Sequence, residues 1–127
     1  MRVIGVDPGA VYTGVAILDS DGKFIYWNES DDPVVIWVAI EEACRYGEGV
    51  VVVEDFLGSG RRNEYTQRTT EALGYIYHRC REEGITVERV PQQARLANVM
   101  NVPKEISRKD EKAAAAHALS YRERKRT

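Results

Sequence analysis

The sequence is short of the residues that make disulfide frameworks and thiolate metal sites. It has two cysteines, Cys44 and Cys80, far apart and without CxxC spacing. A zinc ribbon is excluded, and two reduced, buried thiols are the expectation. Long apolar runs are also missing: no segment approaches the ~20 consecutive apolar residues of a membrane helix, so no membrane is expected as a partner. Met1 and Arg2 lead directly into a strand-like run, without the apolar stretch of a signal peptide, which points to a cytoplasmic protein. Neither sign of charge dominates. Lys and Arg total 18 against 20 Asp and Glu, a net charge of −2, which speaks against nonspecific nucleic-acid binding by a coat of positive charge.

What is present fits one soluble domain. A length of 127 residues leaves no room for a second domain of ordinary size, and 43% hydrophobic residues suffice for one core. The domain is expected over residues 1–121, followed by a basic tail, 122–127, expected to be disordered. The positive charge is clustered: Arg61, Arg62 and Arg68; then Lys104, Arg108, Lys109 and Lys112; then Arg122, Arg124, Lys125 and Arg126. A nearly neutral chain can hold a phosphate backbone when such clusters gather on one face.

Apolar runs at 3–6, 13–18 and 24–27, joined by Asp-Pro-Gly and Asp-Ser-Asp-Gly turns, predict an antiparallel meander of three strands. Ser30, Asp31, Asp32 and Pro33 predict a helix start, and the helical spacing of Val35, Ile36, Ala39, Ile40 and Ala43 carries it to about Tyr46. Val50–Val53 is a continuous β-branched run, as in a strand buried on both faces. A long helix over 63–83, a fifth strand over 85–90, a short helix over 92–99 and a final helix over 107–122 complete the order. Helix-separated strands predict parallel crossovers. The fold class is therefore α/β, a mixed five-stranded sheet in which a β1-β2-β3 meander precedes parallel β4 and β5, with helices on both faces.

Three acids stand at element ends: Asp7 after the first strand, Glu54 after the fourth, Asp110 in the first turn of the last helix. Ligand sites of open α/β sheets gather at the carboxyl ends of strands, so neighbouring first and fourth strands would bring Asp7 and Glu54 together. Clustered carboxylates repel unless a cation or proton lies between them. Hard divalent ions prefer such oxygen ligands, and a pair ~4 Å apart can support phosphodiester cleavage. Each position also has a plain reading. Asp7-Pro8-Gly9 is an ordinary turn, Glu54 can reach solvent from a strand end, and Ser107 to Asp110 fits a capping box. The case rests on the three acids together.

Four segments, VIGVDPGAVYTGVAIL, VVVEDFL, VERVPQQARLANV and RKDEKAAAAHAL, resemble in order and spacing the strands and last helix of RuvC-type Holliday-junction resolvases. These enzymes have the RNase H-like fold. The resemblance covers most of the chain, whose short length fits a compact, phage-like member of a bacterial or phage-infected cell. It implies Asp7, Glu54 and Asp110 as metal ligands and catalytic residues, Mg²⁺ as cofactor with Mn²⁺ substituting, and two ions per site. The family's further acid or His, one turn from its partner in the last helix, is Ala113 here. His117, two turns after Asp110 on the same face, is the candidate to assist catalysis, with Asp55 and Glu111 as spare carboxylates.

The resemblance further implies a homodimer acting on a four-way junction and leaving 5′-phosphate and 3′-hydroxyl ends. The long helix would lie at the dimer position, its Leu73, Ile76, Tyr77 and Cys80 stripe serving the core alone or the core and the interface. Candidate DNA contacts are Phe56 and Tyr65 by stacking, and Arg61, Arg62, Lys104 and Lys109 by phosphate contact. Two alternatives stay open. One is another RNase H-like nuclease, acting on RNA–DNA hybrids or flapped DNA. The other is a junction-binding module without catalysis. A sugar-kinase-like ATPase fragment is disfavoured, because the chain is too short for two lobes and has no second phosphate loop.

Overall fold

A computed structural model describes residues 1–9, 11–45, 47–54, 64–91 and 98–126. The strands are β1 (Arg2–Pro8), β2 (Thr13–Leu18), β3 (Phe24–Ser30), β4 (Gly49–Glu54) and β5 (Thr86–Val90). Among the described residues the helices are α1 (Pro33–Arg45), α2 (Glu64–Glu83) and α3 (Lys109–Arg126), with a 3-10 turn at Val99–Asn101. The sheet order is β3-β2-β1-β4-β5. The meander is antiparallel, and β4 and β5 add in parallel beside β1. This is the mixed sheet of the sequence reading. The short helix expected over 92–99 falls largely outside the described residues.

Alternation along the central strands divides the core. Ile4, Val6, Val15, Ile17, Val51 and Val53 pack with Ile36, Trp37 and Ile40 of α1 and Ile76 and Cys80 of α2. On the other face Val3, Leu18, Val50 and Val52 meet Ala118 and Tyr121 of α3, while Ala16 meets Ala114 and Ala115. Each buried Val or Ile contributes about 2 kcal/mol. The four valines before Glu54 are thus buried from both sides, as an inner parallel strand requires.

Asp32 opens α1: its carboxylate accepts the Val34 N–H at 2.9 Å, and Pro33 takes the first helical position. The apolar stripe of α2 faces the core. Ile76 and Cys80 are fully buried, with Leu73 and Tyr77 packed against the same cluster. Cys44 and Cys80 are both free thiols, and burial, with Cys44 nearby, pushes the Cys80 thiol up to about 12. No described helix is long and apolar enough to cross a membrane.

Helix α3 lies unusually close to the sheet. A Cβ on Gly5 would overlap the Ala114 carbonyl, and one on Gly14 the Asp110 carbonyl. Glycine on the strands and alanine on the helix allow backbone to approach backbone. The helix also runs past residue 122, where the tail was expected to begin, as far as Arg126. Glu, Arg and Lys are good helix formers, and the Lys125 ammonium lies 5.6 Å from the Tyr121 ring centre.

Candidate metal centre

Asp7 follows Val3 and Gly5 on the strand face turned toward α3, and Glu54 follows Val50 and Val52 on that same face. The parallel register, Val6 opposite Val53, brings the two acids side by side at the carboxyl ends of β1 and β4. The third member comes from α3. Side chains on a helix tilt toward its N-terminus, so His117 reaches back toward the strand ends. Its Nε2 lies 3.5 Å from Asp7 Oδ1. Asp7, Glu54 and His117 each offer one ligand atom, and these atoms lie within 4.8 Å of one another. The residues are 8%, 6% and 0% exposed, which sets the group apart from solvated surface acids.

Asp110 approaches the same aspartate from the first turn of α3. Burial, a side-chain hydrogen bond to Asp7, and the charges of Asp7 and Glu29 push its carboxyl up to about 7, against the opposing effect of Lys109. Asp110 Oδ1 also lies 2.7 Å from where a Cβ on Gly9 would stand, so the β1–β2 turn must be glycine there to admit the carboxylate. Helix α3 starts differently from the capping box expected at Ser107 and Asp110. The Glu111 carboxylate, third in the helix, accepts the Arg108 backbone N–H. Asp110 is thereby left to face Asp7.

The residues present fit a divalent cation. Both ring nitrogens of His117 are buried and without a hydrogen-bond partner, a cost of about 1–3 kcal/mol per orphaned group. The 3.5 Å separation from Asp7 is long for a hydrogen bond. It suits two ligands of one ion, which at about 2.1 Å from the metal stand roughly 3–3.4 Å apart.

Of the residues singled out from sequence, Asp7, Glu54, Asp110 and His117 meet in this one region. Ala113 is buried, and Glu111 serves as the helix cap. Lys104 and Lys109 are exposed. Asp55, Phe56, Arg61 and Arg62 lie outside the described residues; Tyr65 falls in the first turn of α2, its side chain outside them too. Sequence reasoning missed the glycine seats of α3 and the charge of Glu29 near Asp110. Gly5 inside an apolar strand and Gly14 at the start of another were the available signal for a close backbone approach.

No protein-family profile matches the sequence, and no curated protein sequence matches it. Solved structures do. Thermus thermophilus RuvC in complex with a Holliday junction substrate is 20% identical, with a TM-score of 0.79 over 99% of this chain and 95% of that one. A second T. thermophilus RuvC structure, also 20% identical, gives 0.71 over 99% and 96%. The likeness spans nearly the whole chain and includes the sheet order, so this protein has the RNase H-like fold in the form that RuvC Holliday junction resolvases have.

Proposed function

We propose that the chain is a metal-dependent endodeoxyribonuclease that cuts four-way DNA junctions. The observation that carries this reading is the buried convergence of Asp7, Glu54 and His117 at the carboxyl ends of β1 and β4, with Asp110 against Asp7. Asp7, Glu54 and His117 would hold one divalent ion, and Asp7 with Asp110 a second, Mg²⁺ or Mn²⁺. Such ions supply Lewis acidity toward a phosphate oxygen and toward the attacking water.

The protein's own part is positioning. Packing in the strand ends and the glycine seats fixes Asp7, Glu54 and Asp110 before substrate arrives. Water oxygen bonds to phosphorus as the phosphorus–O3′ bond breaks, and a proton passes to the departing oxygen. The products are a 5′-phosphate and a 3′-hydroxyl. Exposed Lys109, whose charge acts on Asp110, and exposed Lys104 would meet the phosphate backbone. Phe56, Arg61, Arg62 and Tyr65, in the segment after Glu54, would contact the junction, and two copies of the chain would act on its two-fold symmetric arms.

Cleavage of a labelled four-way junction in Mg²⁺ and Mn²⁺, beside an RNA–DNA hybrid and a flapped duplex, tests the reading. Preferential cutting of the junction supports it. Preferential cutting of the hybrid would make the chain a different RNase H-like nuclease, and junction binding without cutting in either metal would make it a binding module.

A further inference from the structure

We infer that His117 tunes this centre toward first-row transition dications, with Mn²⁺ and Co²⁺ bound in preference to Mg²⁺. The inference rests on the metal-dependent reading above and names the class of ion. Its basis is the donor set. Three side chains converge, and one of the three ligand atoms is an imidazole nitrogen.

Mg²⁺ takes oxygen ligands, dehydrates reluctantly and is usually held by one or two carboxylates together with water and phosphate. An imidazole in place of an oxygen ligand lowers the charge of the site and adds a borderline-soft donor, which favours transition metals. His117 is also not easily bypassed. It is fully buried, and both its nitrogens are without a hydrogen-bond partner. A Mg²⁺ ion that keeps its water shell would meet that imidazole only through the hydrogen bond of a bound water, since the helix that carries it is seated backbone to backbone on the sheet. A transition dication would instead meet its nitrogen need directly. Asp110 adds a carboxylate beside Asp7 but is not one of the three convergent groups, so it does not restore an all-oxygen site.

Electron paramagnetic resonance of Mn²⁺ reads the binding without activity. The chain has two histidines, and the other, His78, is exposed beside Glu82. A His78→Gln background therefore leaves His117 as the sole imidazole. Spin-echo modulation from a directly bound nitrogen is expected in that background, and its absence overturns the inference even if His117 variants fail to fold. Competition then measures preference. Mg²⁺ should displace Mn²⁺ only at large excess, and His117→Asp should shift the ratio toward Mg²⁺ by about tenfold or more. An unchanged ratio in a folded His117→Asp protein overturns the inference and leaves the nuclease reading standing. If Mn²⁺ does not bind, or binds Asp7→Asn as tightly as the parent, the site itself is wrong and both readings fall.

Discussion

The carbonyl oxygen of Ala114 lies where a Cβ on Gly5 would stand, so β1 and α3 meet backbone to backbone. This contact sets the height of α3 above the sheet, and hence the reach of His117 to Asp7. Gly5→Ala forces the helix outward or strains the strand, an overpacking cost of about 3 kcal/mol. Urea unfolding should show that loss, together with weaker Mn²⁺ binding. A change below about 0.5 kcal/mol, the range of an ordinary surface substitution, would show that the close approach is not a structural constraint.

Asp7 offers a ligand atom within 4.8 Å of those of Glu54 and His117 and is hydrogen-bonded with Asp110. Asp7→Asn keeps the shape and removes the charge that two ions would share. Junction cutting should fall by about four orders of magnitude, as for a residue acting within a catalytic unit. Junction affinity should stay within about threefold, because phosphate contacts elsewhere position the DNA. Retention of cleavage by the folded variant in either Mg²⁺ or Mn²⁺ would remove Asp7 from the mechanism.

Much of this was legible in the sequence, and the reasons differ by element. The central strands announce themselves because Val50–Val53 and Thr13–Leu18 must be apolar on both faces. Asp7 and Glu54 were readable as neighbours because each closes a strand and the helical crossovers imply parallel pairing. The role of α3 was less visible. Its alanines carry little periodic signal, and nothing local tells which turn faces the strand ends. That is decided by Gly5 and Gly14, more than 95 residues earlier in the chain. For the same reason Asp110 also fits a helix cap by sequence, a position that the Glu111 carboxylate takes in the structure.

Lys104 and Lys109 are exposed, and Lys109 adjoins Asp110 in the first turn of α3. If they meet phosphates, each releases counterions on binding. The double variant Lys104→Ala/Lys109→Ala should reduce the slope of log affinity against log salt by about 2, with similar losses for junctions of different sequence. Titrations at several salt concentrations measure this. An unchanged slope would place the phosphate path on another face.

The pairing of Asp110 with Asp7 makes the metal-free protein pH-sensitive in a definite direction. Burial and the neighbouring carboxylates raise the Asp110 carboxyl from its ordinary 3.8 to about 7. Between those values the folded protein binds more protons than the unfolded chain, so stability declines as pH rises through the window and levels off above it. In buffer with chelator, unfolding free energy should fall between pH 5 and 7 by this contribution, and Asp110→Asn should remove that part of the slope. A bound cation takes the place of the shared proton. Calorimetric titration with Mn²⁺ in buffers of different ionisation enthalpy should therefore show proton release near pH 6 and little at pH 8. Proton release that is the same at both values, or a slope that survives in Asp110→Asn, would assign the titration to another group.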